Sequence, residues 1–289
     1  MADWVLGIIG GSGLYDIEGL ENRQRLEIDT PWGAPSDRLV AGEIGGVRMV
    51  FLPRHGRGHV LGPTEINVRA NIDALKRAGC TDLVSISAVG SLKEELAPGT
   101  FVAVDQFIDR TFGRPKSFFG QGVVAHVSMA RPVCPRLTAL TAEAAREAGA
   151  PVVDGGVYLA MEGPQFSTRA ESELYRSWGC SVIGMTNMPE AKLAREAELP
   201  YACLAMVTDY DGWRDDVDHV EVGHILQVLA ANAGLAKAAV RRLAGKLGGP
   251  RPPSPIDTCL DAAVITPREH RDPELVRKLD AVAGRVLGR

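Results

Sequence analysis

The sequence predicts an α/β fold, a central mixed β-sheet flanked by helices. Short apolar runs alternate with helical patterns along the whole chain, and a single glycine-bearing hairpin signal interrupts them. Four clusters of polar and glycine residues also fall directly after predicted strands, where open α/β sheets place their ligands. The alternation implies largely parallel strands with helices on both faces, and the hairpin means that the sheet is not purely parallel.

The elements follow in order. An apolar run over 4–9 enters the turn Gly10-Gly11-Ser12-Gly13. Strands over 39–43 and 47–52 flank Gly45-Gly46, a two-residue hairpin signal. Apolar residues at helical spacing over 64–78 predict a helix that stops at Gly79. Buried strands are expected over 83–88 and 101–107, then an amphipathic helix over 137–148 and a strand near 152–160. A helix over 168–178, a strand over 182–185 and a helix over 189–197 precede an apolar strand over 201–208, which delivers Asp209 and Asp211 at its end. A long helix of small and apolar residues occupies 222–247. The proline- and glycine-rich stretch 248–255 sets off a tail from about residue 254. That tail is too short to build a core, so one domain over 1–289 is expected, with the tail packed on the body or on a neighbour.

Composition narrows the function. The 289 residues are 45% hydrophobic and 24% charged, and 32 Lys+Arg against 36 Asp+Glu leave a formal charge of −4. That balance argues against a broad nucleic-acid footprint while permitting one local anion site. No apolar run approaches the roughly 18 residues needed to span a bilayer, and the first basic residue is Arg23. Five scattered cysteines form no C-x-x-C pair, which suits a reducing, cytoplasmic compartment. His219, Glu221 and His224 lack zincin spacing, so no metal is expected.

Four clusters could carry chemistry. The Gly10–Gly13 turn can converge backbone N–H groups on an anion, or be plain strand–turn chemistry. It fails the dinucleotide fingerprint because the third glycine position is Asp16, which weakens a dinucleotide-dependent oxidoreductase. Arg54-His55-Gly56-Arg57-Gly58-His59 follows an apolar strand, where an arginine fork suits phosphate oxygens; a solvated loop is the plainer alternative. Ser85 to Leu92 alternates small hydroxyl and apolar residues before a Gly-Ser turn, offering hydroxyls to an oxyanion. In Thr208-Asp209-Tyr210-Asp211-Gly212-Trp213 the two aspartates project to one side of extended chain, roughly 7 Å apart. Like charges so placed repel, so one carboxyl keeps its proton to higher pH, which suits general acid catalysis.

Seven stretches in this order, GGSGLYD (10–16), PRHGRGH (53–59), SAVGSL (87–92), DQFIDRT (105–111), MEGPQFSTRAES (161–172), GMTNMPEAKLAREA (184–197) and TDYDGW (208–213), resemble the trimeric purine nucleoside and methylthioadenosine phosphorylase family. The match runs from Gly10 to about Trp213, more loosely to about Arg268. The resemblance implies a single-domain phosphorylase fold, a homotrimer, and cleavage of methylthioadenosine by phosphate into adenine and 5-methylthioribose 1-phosphate. Methylthioinosine or another purine nucleoside is the alternative substrate. Phosphate is a co-substrate, and no cofactor or metal is implied. Phosphate binding carries to Ser12, Arg54, His55, Ser87, Ala88 and Thr186, with Ser at 12 and 87 where many relatives use Thr. Met185 carries to the ribose, Phe166 to stacking on the base, and Asp209 and Asp211, with Tyr210 between them, to the purine edge. Ser167 and Val222 correspond to selectivity positions, His126 to a residue that reaches a neighbouring subunit's 5′ pocket, and Ile265 to an apolar tail residue there.

Overall fold

The computed structural model describes residues 3–11, 14, 17–214 and 222–288, with the side chains of 222–226 left out. In chain order the elements are β1 (Val5–Gly10), β2 (Glu21–Leu26), β3 (Leu39–Ile44), β4 (Val47–Pro53), α1 (Val68–Arg77), β5 (Asp82–Ser91), β6 (Phe101–Val104) and β7 (Gln106–Arg110). There follow α2 (Pro135–Glu147), β8 (Val152–Asp154), β9 (Val157–Met161), α3 (Arg169–Ser177), β10 (Val182–Gly184), α4 (Asn187–Glu196), β11 (Tyr201–Tyr210), α5 (Val222–Lys246), α6 (Pro273–Lys278) and α7 (Asp280–Leu287).

The sheet is mixed, as expected. One path runs β2-β3-β4-β1-β5-β10-β9-β7, while β11 lies along the other edge of β5 and leads to β6 and β8. The β3–β4 hairpin turns on Gly45 and Gly46, whose φ angles of 57° and 79° are those of the primed turn that a two-glycine loop favours. Strand β2 has no counterpart in the sequence reading. Its ENRQRL segment is almost wholly exposed and pairs antiparallel with β3 as an edge strand, so it carries no apolar alternation to detect.

Three expected elements are redrawn. The helix begins at Val68, not at 64, because Asn67 caps it by accepting from the Ala70 N–H. The strand expected over 101–107 is two strands with different neighbours, since β6 pairs with β11 and β8 while β7 pairs with β9. The strand near 152–160 also divides, at Gly155-Gly156 (φ 78° and 150°). Asp105, at the first break, accepts from the Gly156 N–H at the second (2.9 Å). The two breaks therefore face each other and split the sheet into branches.

The helices cover both faces. Ala236, Val240 and Leu243 of α5 join an apolar cluster with Leu6, Ile8 and Phe51, and Ile72 and Leu75 of α1 join another with Leu83 and Tyr201. The segment after 254 packs on the body. Leu260, Leu279, Val282 and Leu287 enter the α1 cluster, and Arg285 pairs with Glu198 while Arg77 pairs with Asp280. Leu279 is fully buried at the junction of α6 and α7. Truncating it to alanine should destabilise the protein by about 2–5 kcal/mol, read as a lower urea midpoint, whereas a loosely draped tail would leave the midpoint unmoved.

Candidate active site

The site grows from a fork in the sheet. One edge of β5 is covered by β11 from Leu83 to Ser91. On the opposite edge β1 accompanies Asp82 to Ser85, and β10 joins only at Gly90 and Ser91. Neither strand covers 86–89 on that edge, so peptide groups there face the fork. Ala88 is exposed although Ile86, Ser87 and Val89 around it are buried, which marks the opening.

Arg54, directly after β4, fills the base of the fork. It is 2% exposed; Nη1 donates to the Ile86 carbonyl (3.1 Å), Nη2 to the Ile9 carbonyl (3.4 Å) and the Ser85 hydroxyl (2.5 Å). Its Nε/Nη2 edge grips the Glu190 carboxylate at 3.0 and 3.2 Å. The two-point grip that the sequence suggested for phosphate is thus turned on Glu190. Burial opposes the Arg54 charge, but the Glu190 carboxylate more than offsets it and holds the guanidinium above its ordinary pKa. Tyr201 donates to Glu190 (2.7 Å), and the Asn187 amide donates to Tyr201 and Ser85 (2.7 and 2.9 Å).

Above this pair stand Ser87 and Thr186, two of the residues expected to bind phosphate. Ser87 Oγ lies 3.4 Å from Thr186 Oγ1 and 3.3 Å from the Tyr158 hydroxyl. Because N–H and C=O of alternate strand residues share an edge, the Ala88 N–H points the same way as the Ile86 carbonyl, into the fork. His55 donates Nδ1–H to the Leu61 carbonyl (2.9 Å) and stacks on His59 (4.1 Å, 9°). Burial first, then the nearby Arg54 and His59, pull its pKa down to about 4. It is neutral at physiological pH, with Nδ1 committed and Nε2 left as an acceptor. Ser12 lies outside the described residues, as do His219 and Glu221.

Three residues further along β5, Gly90 lies beneath the acid pair. A Cβ at Gly90 would come within 3.2 Å of Asp209 Oδ2 and 3.4 Å of Asp211 Cβ, so the glycine lets both aspartates approach the strand closely. A bulge in β11 between Val207 and Asp209 re-aims the strand end, with Thr208 donating to Asp209 Oδ1 (2.7 Å). Asp211 is buried, and its Oδ2 has no hydrogen-bond partner among the described residues. Burial pushes its carboxyl above the usual range, with Ser172, Ser167 and the Gly212 N–H working the other way and Glu171 adding to the rise. Burial, rather than the expected mutual repulsion, is therefore the main cause. Tyr210 does not join the pair. It faces away by strand alternation, donating its hydroxyl to the Glu94 carbonyl (3.2 Å) with its ring edge-on to Trp213.

The loop after β9 closes the side. Phe166 is half exposed on it, and Ser167 stands near Gly212 and Met161. Met185 packs against Gly163, where a Cβ would lie 2.5 Å from its sulfur. Val222 opens α5, and its side chain is outside the described set. His126 is not brought to these groups within the chain. It lines a separate cavity of about 420 Å³ with Lys116, Lys192 and Glu196, on a segment that pairs with the tail through Ala263 and Ile265. Ile265 itself is exposed.

Glu190, the partner of Arg54, carries no motif in the sequence that marks it as part of the site. Its signal was an acid sharing the helical stripe of Leu193, Ala194 and Ala197, all buried. Arg114 and Glu162, which brace the Met185 turn and the Phe166 loop, were missed for want of any local pattern. The lowered His55 pKa has a consequence for stability. Unfolded chains take up this proton near pH 6.5 and the folded protein only near 4, so the contribution present above pH 6.5 is lost as pH falls towards 4. Urea midpoints at pH 7.5 and 4.5 should separate more for the wild type than for His55→Gln; equal separation would contradict a neutral His55.

Known proteins share this architecture. Residues 5–244 match the phosphorylase superfamily. An S-methyl-5′-thioadenosine phosphorylase of Cereibacter sphaeroides is 61% identical over 285 residues, 98% of either chain. One of Bradyrhizobium diazoefficiens is 61% identical over 289 residues, 99% of either chain. A crystal structure of a methylthioadenosine phosphorylase from an antarctic soil metagenomic library superposes with a TM-score of 0.92 at 45% identity, covering 98% of this chain and 99% of that one. A Schistosoma mansoni methylthioadenosine phosphorylase in complex with adenine gives 0.81 at 38% identity, over 85% of this chain and 92% of that one. With a family match over most of the chain and identities of this extent, the chain belongs to the phosphorylase superfamily, in its methylthioadenosine phosphorylase family.

Proposed function

We infer that the protein cleaves S-methyl-5′-thioadenosine with inorganic phosphate, yielding adenine and 5-methylthioribose 1-phosphate. One observation carries the reading. Ser87 and Ala88 at the fork and Gly90 beneath the two aspartates stand on one strand, within about 10 Å of each other along it, the span from an attacking phosphate to the far edge of a purine. A single nucleoside can touch both ends.

Each end has a chemical task. Cleavage of the N-glycosidic bond leaves positive charge on the ribose and negative charge on the base. Phosphate held by Ser87, Thr186, the Ala88 N–H and His55 stabilises that positive charge and attacks the anomeric carbon. With its charge countered by Glu190, Arg54 shapes the cradle and contributes a short-range positive field. At the other end a carboxyl raised by burial, as Asp211 is, suits donation to purine N7, while an ionised carboxylate accepts from a 6-amino group. Adenine satisfies such a pair; a 6-oxopurine turns an acceptor towards it. Met185 supports the ribose, Phe166 stacks on the base, and Ser167 and Val222 set selectivity at the base and 5′ ends. Tyr210, whose side chain turns away, would contribute through its backbone.

A homotrimer completes this reading, with His126 and Ile265 reaching a neighbour's 5′ pocket from an outward-facing segment. A cytoplasmic setting agrees with the unpaired cysteines, and among the described residues no helix is long and apolar enough to cross a membrane. Phosphate is the co-substrate, and neither cofactor nor nucleic acid is assigned a part.

Purified protein given methylthioadenosine should release adenine only when phosphate is present; release without phosphate would make it a hydrolase. Asp209→Asn should move the ratio of 6-aminopurine to 6-oxopurine turnover by about tenfold or more towards the oxopurine, in side-by-side rates with methylthioadenosine and methylthioinosine. An unchanged ratio would remove Asp209 from base recognition.

A further inference from the structure

Beside the Met185 turn and the Phe166 loop lies a hub, centred on one buried arginine, that none of the roles above uses. Arg114, 6% exposed, sits between β7 and α2. Its Nη1 donates to the carbonyls of Met185 and Met188, the latter at 3.1 Å. Its Nη2 donates to the Glu162 carbonyl (2.5 Å) and its Nε to Glu162 Oε1 (3.2 Å). Glu162 also accepts from the Thr64 hydroxyl (2.5 Å) and from the N–H groups of Phe112 and Gly113. Burial would raise the Glu162 carboxyl, but these hydrogen bonds and Arg114 hold it at about 2, so it stays ionised.

The reason for such a hub is local. Met188 is extended (φ −121°, ψ 131°) within the first turn of α4, so the helical ladder is interrupted where Met185 to Met188 turn past the site. Carbonyls released in a buried turn need donors from elsewhere. Arg114 supplies them at both ends of the turn, and between those ends stand Thr186, 3.4 Å from Ser87, and Asn187, bonded to Ser85. The same guanidinium clasps the start of the loop that carries Phe166. With its donors directed at chain atoms, Arg114 is poor as a ligand for substrate and well placed to fix what holds it.

We propose that Arg114, oriented by Glu162, is a positioning residue that locks the Met185–Met188 turn to the 161–166 loop and so sets the spacing between the ribose, phosphate and base contacts. The proposal rests on the phosphorylase reading. Its geometry demands a planar fork: a lysine ammonium cannot serve carbonyls at three fixed angles.

The test uses the full-length protein with methylthioadenosine and phosphate, comparing wild type with Arg114→Lys, Arg114→Met and Glu162→Gln by steady-state kinetics and thermal midpoint. Misplacement of reacting groups by about an ångström costs on the order of a hundredfold. Each folded variant should therefore lose about tenfold or more in kcat/KM for the nucleoside and show a raised KM for phosphate, at temperatures well below its midpoint. Lysine should not rescue. Folded variants that keep both parameters within about twofold of wild type, whatever their midpoints, would overturn the proposal. If Arg114→Met does not fold, Glu162→Gln, whose side chain reaches the surface, decides by the same criterion. An inactive wild type would instead sink the phosphorylase reading, so the two failures are distinct.

Discussion

The buried ion pair of Arg54 and Glu190 is the interaction on which the rest depends. Where β1 leaves β5 and before β10 arrives, carbonyls of Ile9 and Ile86 would face a gap, and the guanidinium takes both. Such a cation needs a counter-charge in a site this dry, and α4 delivers Glu190 to it. Removing one partner from a buried pair typically costs about 3–5 kcal/mol, because the other is left uncompensated. The pair thereby ties β4, β1, β5 and α4 together at the point where the sheet opens.

That arrangement shapes the electrostatics of the fork. The deepest positive charge is already balanced, and the histidine beside it is neutral. What remains towards the opening is a set of hydroxyls, a peptide N–H and an imidazole nitrogen, groups that grade an anion by geometry as much as by charge. At the far end the contrast is between two aspartates in unlike surroundings. Asp211 is buried, whereas Asp209 is partly exposed and takes a hydrogen bond from Thr208. Unlike environments for paired acids are what allow one to keep a proton and the other to lose it.

Much of this was legible in the chain. The glycine pair at 45–46 dictated its hairpin, the apolar run of β11 led to Asp209 and Asp211, and the helix expected over 168–178 is α3. Ser87, Ala88 and Thr186 were picked out by resemblance and do gather at one opening. Other features left no trace. β2 is polar because it is an exposed edge, Arg54 was read without its carboxylate, and Tyr210 was grouped with aspartates from which strand alternation turns it away.

The sequence by itself determined the periodicities, caps and turns, and hence the alternation of strand and helix, since each is settled by the sterics and hydrogen bonding of residues a few positions apart. Only the tertiary structure decided where the sheet forks, which acid answers Arg54 from 136 residues away, and why the Asp211 carboxyl lies above the usual range. Those outcomes depend on desolvation and on charge partners that no local window contains, and both come into being only when distant segments close around the same buried space.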